Sequence, residues 1–106
     1  MTAKDCILGR RSIRKFKADA VSRELLAEIV ETASYSPSWK HTQITRYIAV
    51  EGALKDRIAR ECTSMYPPNG DIIAAAPVLM AITIIKNRSG FERDGSFSTP
   101  RGDGWQ

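Results

Sequence analysis

Only two stretches of this chain read as strands, Thr45 to Glu51 and Val78 to Lys86, with four helical patterns before and between them. The first is rich in β-branched and aromatic residues. The second is almost continuously apolar, which predicts a strand covered on both faces. Residues 3–9 predict a short helix ending near Gly9. Ser22 is a natural N-cap for a second helix, whose stripe of Leu25, Leu26, Ile29, Val30 and Ala33 stops before Pro37. A third runs from Ala53 to Met65 with Leu54, Ile58 and Cys62 on one face. Pro67-Pro68-Asn69-Gly70 predicts a turn, and Asp71 a cap for a short helix over Ile72 to Ala76 that Pro77 ends. Residues 87–106 read as a loop or tail in which Phe91, Phe97 and Trp105 are the large apolar groups. The order of elements is that of an α+β half-sheet lacking neighbours. Two strands alone leave edges and faces uncovered, so the chain reads as part of a longer protein, prone by itself to pair or aggregate.

The densest chemistry lies just after the first helical pattern. Arg10-Arg11-Ser12-Ile13-Arg14-Lys15-Phe16-Lys17 has five positive charges, one hydroxyl and no carboxylate. In an extended segment, side chains alternate between faces, so Arg10, Ser12 and Arg14 share one side and Ile13 is free to face a core. Two guanidinium forks flanking a hydroxyl suit a phosphate monoester, because charge-assisted bidentate bonds are the strong ones. The plainer alternative is a solvated basic stretch, and by itself the run says only "anion".

A second cluster, Ser36-Pro37-Ser38-Trp39-Lys40-His41-Thr42-Gln43, sits between the second helix and the first strand. An N-terminal Arg-Arg-Ser-x-Arg, an amphipathic helix, Ser-Pro-Ser-x-x-(Asn)-x-Gln and then a hydrophobic strand resembles the FMN-dependent nitroreductase family. The match runs in register from about Lys4 to Lys86. Each motif is weak alone, while their order and spacing together are fairly specific.

The resemblance implies a nitroreductase-like fold, with helices around a central, mostly antiparallel sheet, of which residues 1–106 hold the N-terminal half (1–86 as helix and strand, 87–106 as loop or tail). It implies FMN at a homodimer interface, with NAD(P)H as electron donor and nitroaromatics, quinones or similar small molecules as acceptors. Carried over by motif, Arg10, Arg11, Ser12 and Arg14 would hold the phosphate and ribityl end from one protomer. Ser38 and Gln43 would reach the flavin from the other, with Pro37 and Trp39 shaping the wall. Gln43 both donates and accepts, which suits a ring edge bearing carbonyls and N–H. The family usually has Asn where this chain has His41; histidine keeps a hydrogen-bonding nitrogen but is bulkier. No residue is expected to act as nucleophile or general base, since the reaction belongs to the flavin. An alternative within the same fold is a flavin-binding module with little turnover.

Other classes fit less well. The net charge of +4 is concentrated near the N-terminus, whereas a nucleic-acid surface spreads its cations along a face and interleaves aromatics. One histidine and two distant cysteines offer no metal set. The polar start, Met1-Thr2-Ala3-Lys4-Asp5, has no apolar segment behind it, and no run approaches a membrane span. These features, with Cys6 and Cys62 read as half-buried free thiols, lead to the expectation of a cytoplasmic enzyme that binds neither membrane nor nucleic acid.

Overall fold

Four α-helices, one 3₁₀ turn and two strands form from the segments named above, and the computed structural model describes residues 1–98, the Trp39 side chain apart. The chain divides into two units, Met1–Ala20 with Glu51–Val78, and Val21–Val50 with the chain from Leu79 onward.

In the first unit, α1 (Ala3–Gly9) opens on a capping box. Thr2 Oγ1 accepts from the Asp5 amide at 3.2 Å, and Asp5 Oδ2 accepts from the Thr2 amide at 2.8 Å. Two of the donors that a helix start leaves unsatisfied are thus paired. The unit's packed pair is α3 (Gly52–Glu61) against α4 (Pro68–Ala75). Helix α3 ends earlier than the predicted Met65. Thr63 donates its hydroxyl to the Ala59 carbonyl at 2.7 Å, taking the acceptor that a continuing helix would offer to the Thr63 amide. Helix α4 begins earlier than predicted, since Pro68 occupies its first turn, where a missing N–H costs nothing. Pro68, Asn69 and Gly70 are therefore helix and not turn, and Asp71 lies inside the helix instead of capping it. Pro77 ends the helix as expected, with Ala76 as C-cap.

The buried face of α3 also differs from the expected one. Lys55 and Ala59 are buried, while Leu54 is 57% exposed and Cys62 lies at the surface. Gly70 explains the choice. A methyl group there would stand 2.7 Å from the Ala59 carbonyl oxygen and 2.8 Å from Thr63 Oγ1, so the two helices meet backbone to backbone at this glycine. The Lys55 amine closes the same contact, donating to the carbonyls of Ile73 and Ala74 at 3.0 Å each and to Asp56 Oδ1 at 3.1 Å. An ammonium group on the last carbonyls of a helix supplies a donor where the helix runs out of its own and complements its dipole.

In the second unit, α2 (Arg23–Ser34) is capped by Ser22, whose Oγ accepts from the Leu25 amide at 3.1 Å. After the 3₁₀ turn (Trp39–His41), β1 (Thr45–Val50) pairs antiparallel with β2 (Leu79–Ile84), from Thr45 opposite Ile84 to Val50 opposite Leu79. Both strands fall where the sequence predicts. Ile44 and Val50 are this unit's buried apolar residues. The expected two-sided cover of β2 is not found: Leu79 to Ala81 are half-buried, and Ile82 is 64% exposed. Beyond β2, Phe91 bridges to Phe97 with ring centroids 4.9 Å apart, so part of the expected loop is an ordered turn. Trp105 lies outside the described residues. Cys6 and Cys62 are both free, as expected, but exposed and not half-buried. No helix among the described residues is long and apolar enough to cross a membrane.

Candidate functional site

The basic strip follows α1 directly, and residues 10–20 form no regular element. Arg10 leaves the helix with φ −59° and ψ 136°. Its Nη1 lies 3.4 Å from Ser12 Oγ, so these two side chains share one side, as the alternation predicts. Arg10 and Arg14 have no carboxylate partner among the described residues. Arg11 has a different arrangement. Its Nη1 donates to the Leu8 carbonyl at 3.0 Å and to the Arg10 carbonyl at 2.8 Å, which turns the guanidinium back onto the end of α1. Ile13 does not meet a core in this chain, being 63% exposed.

The Ser-Pro-Ser cluster belongs to the second unit. Pro37 and Ser38 lie exposed in an extended stretch, and Ser38 is the N-cap of the 3₁₀ turn without spending its hydroxyl on a cap. Three residues that follow are left-handed: Lys40 (φ 48°), His41 (φ 50°) and Gln43 (φ 56°). Non-glycine residues pay about 1–2 kcal/mol each for that conformation. Arg46 stabilises the result, since its Nη1 donates to the carbonyls of Gln43 at 2.7 Å and Thr45 at 2.9 Å. Within the turn, Gln43 Nε2 lies 3.1 Å from His41 Nε2. Thr42 Oγ1 is buried with no hydrogen-bond partner among the described residues.

Two cavities flank this turn. One, of about 490 Å³, is lined by Ser36, Pro37, Ser38, His41, Gln43 and Tyr47 among others. That volume lies in the range of small-ligand sites. The other, of about 780 Å³, adds Lys40, Arg88, Phe91, Glu92 and Arg93. Lys40 and Glu92 form an exposed ion pair at 3.7 Å. The structure thus brings Pro37, Ser38, His41 and Gln43 to one wall, and Arg10 and Ser12 to one side of the strip. The Trp39 side chain, expected to shape that wall, lies outside the described residues.

Sequence reasoning missed Tyr47, Arg88 and Arg93. Tyr47 was findable, because a strand's period of two puts it on one face with Thr45, and both line the smaller cavity. Arg88 and Arg93 carry no such signal, as only the fold of the 87–98 segment brings them to the turn. No group of histidine, cysteine or acidic side chains among the described residues could hold a metal ion.

Taken separately, the strip offers a carboxylate-free guanidinium and a hydroxyl of the kind that suits an anion, and the smaller cavity is polar-edged and of small-ligand size. Comparison with known proteins agrees with the motifs. Nitroreductase NfnB of Mycolicibacterium smegmatis is 39% identical over 57 residues, which are 54% of this chain and 24% of that protein. The putative NAD(P)H nitroreductase YfhC of Bacillus subtilis is 43% identical over 47 residues, 44% of this chain and 24% of the relative. A Thermus thermophilus protein named NADH dehydrogenase is 39% identical over 61 residues, 58% and 30% respectively. A crystal structure of a nitroreductase family protein from Clostridium novyi NT superimposes with a TM-score of 0.70 at 27% identity, over 92% of this chain and 52% of that one. The chain therefore matches about a quarter to a third of the length of these curated relatives. The nitroreductase family profile matches residues 7–78, well over half of the sequence, and the chain belongs to the nitroreductase family.

Proposed function

We propose that this chain is the N-terminal portion of an FMN-dependent oxidoreductase that passes electrons from NAD(P)H to nitroaromatic, quinone or similar acceptors. The observation that carries the reading is the cavity edged by Ser38, His41 and Gln43, in a chain of this family whose N-terminal strip keeps an unneutralised Arg10 beside Ser12. FMN, when bound, would supply the redox chemistry, relaying a hydride equivalent from the nicotinamide to the acceptor.

The protein's own residues bind and orient. Arg10, Ser12 and Arg14 hold the phosphate by charge-assisted bonds. Arg11 secures the end of α1 and so the direction in which the strip leaves it. Ser38 offers a hydroxyl that no helix cap uses, and Gln43 offers an amide to a ring edge. Positive charge near the ring stabilises electron density gained there. The working unit is a homodimer with FMN at its interface, consistent with the exposed sheet faces of this chain.

The test is the visible absorption spectrum of the purified chain before and after incubation with FMN, followed by NAD(P)H oxidation in the presence of a quinone. A retained flavin band with turnover is the expected result. A longer protein containing this segment that remains colourless and refuses FMN would sink the reading. A retained band with no oxidation by any quinone or nitro acceptor would favour a flavin-binding module.

A further inference from the structure

After β2 the chain closes as a small hairpin over residues 88–98. The Phe91 amide donates to the Arg88 carbonyl at 3.3 Å, across a turn in which Gly90 is left-handed at φ 79°. The amides of Glu92 and Ser98 donate to the carbonyls of Ser96 and Gly90, at 2.8 and 2.9 Å. This framework sets Arg88, Phe91, Glu92 and Arg93 with Lys40 around the cavity of about 780 Å³. Its lining thus holds three cations and one carboxylate. That carboxylate is engaged, since Glu92 pairs with Lys40 at 3.7 Å and accepts from the Ser98 hydroxyl. Asp94, the other acid of the hairpin, does not line the cavity. Its Oδ1 accepts from the Ser96 amide at 2.9 Å and the Ser96 hydroxyl at 2.6 Å. Arg88 and Arg93 have no carboxylate partner among the described residues.

Two guanidinium forks beside an aromatic ring suit a phosphorylated nucleoside. The forks bind phosphate through paired, charge-assisted bonds, and a base stacks on the ring face. The position of the cavity narrows the ligand further, because it adjoins the smaller cavity across His41 and Gln43, which line both. On the flavin reading the ring uses the smaller cavity, and the larger one then receives the far end of the nicotinamide donor. NADPH differs from NADH there by a phosphate on the adenosine ribose. A carboxylate on the ribose hydroxyl selects NADH, whereas arginine accommodates the phosphate. We propose that Arg88 and Arg93 hold the ribose phosphate of NADPH, with Phe91 as the stacking surface for its adenine, and so make NADPH the preferred electron donor. The donor role rests on the flavin reading, but recognition of a 2′-phosphorylated adenosine does not. Glu92 is the one group of the lining that favours NADH, and its bonds to Lys40 and Ser98 withhold it.

The deciding experiment is calorimetric titration of the flavin-free chain with adenosine 2′,5′-bisphosphate and with adenosine 5′-diphosphate, which carry the same number of phosphates in different places. The expected result is tighter binding of the 2′-phosphate isomer, by about ten- to a hundredfold, the range for hydrogen bonds to a charged group. Arg88→Ala and Arg93→Ala each reduce the difference, and Glu92→Gln enlarges it. Both arginines are exposed, so their replacement leaves the fold intact. In the longer, FMN-loaded protein the same arginine variants raise KM for NADPH and leave kcat, KM for NADH and flavin content unchanged. Equal affinity for the two isomers, or none for either, overturns the proposal. So does loss of FMN from the double variant with an unmoved ratio of NADPH to NADH turnover, which would assign these arginines to the flavin's own phosphate. A chain that refuses FMN but separates the isomers through its arginines keeps the phosphate subsite and removes the flavin reading.

Discussion

Arg11 and Arg14 belong to one basic strip, yet the structure gives them different work. Arg11 is engaged with the carbonyls of Leu8 and Arg10, while Arg14 has no such partner among the described residues. Arg10→Ala and Arg14→Ala should each weaken FMN binding by about 1.5–3 kcal/mol, the range for hydrogen bonds to a charged group. Arg11→Ala should cost less affinity and instead loosen the end of α1. Flavin fluorescence titrations of the three variants check the ranking, and equal losses would assign the guanidiniums one shared role. Lys55 poses a residue-scale question unrelated to flavin. It is 6% exposed and meets three oxygens, so Lys55→Met leaves the Ala74 carbonyl without this donor and the Ile73 carbonyl with the Ala76 amide alone. An orphaned acceptor costs about 1–3 kcal/mol, which a urea midpoint would register.

Among the elements, the α3–α4 contact and the α1 cap make opposite kinds of prediction. Gly70→Ala would raise helix propensity by about 1 kcal/mol on an open surface. Here the new methyl meets the Ala59 carbonyl and Thr63 Oγ1, and overpacking of that sort costs about 1–3 kcal/mol. The expected outcome is a lower melting temperature; a higher one would mean that the two helices do not meet at this glycine. At the α1 cap, hydrogen bonds from the Thr2 backbone first, and its hydroxyl second, hold the Asp5 carboxyl below its ordinary value of 3.8. The folded carboxyl is thus the stronger acid, so the box contributes fully above the unfolded value and fades as pH falls through the lowered one. Carbon NMR of the Asp5 carboxylate should give a midpoint below 3.8 that Thr2→Ala returns upward. Ser22 as cap and both strands were legible in the sequence, because caps and runs of strand-forming residues are local signals. What the sequence hid was tertiary. Periodicity favoured Leu54, Ile58 and Cys62 as the inward face of α3, but a backbone contact at Gly70 and an amine reaching the carbonyls of α4 select Lys55 and Ala59. In the candidate site, motif spacing pointed to Ser38 and Gln43, which line the smaller cavity, whereas the arrival of Arg88 and Arg93 depends on how the chain closes after β2.

At the scale of the whole molecule, the uncovered sheet dominates. Ile82 and Ile84 stand exposed on the face shared with Tyr47, and Ile48 on the other, so each side offers apolar area to a neighbour. Size-exclusion chromatography should show elution that grows earlier with concentration, and replacing Ile82 and Ile84 together by Lys should restore a monomer's position. A wild-type chain that stays monomeric at every concentration would oppose the dimer proposed above. The same sheet sets an order of events in time. Residues 51–78 connect β1 to β2 along the sequence, and α3 and α4 lie wholly within that stretch. Helices form within about a microsecond, while pairing across a long connection must first overcome its closure entropy. The helical pair is thus expected to assemble early and shorten the search, so substitutions at Gly70 should slow refolding, whereas those at Ile48 or Ile82 should mainly hasten unfolding.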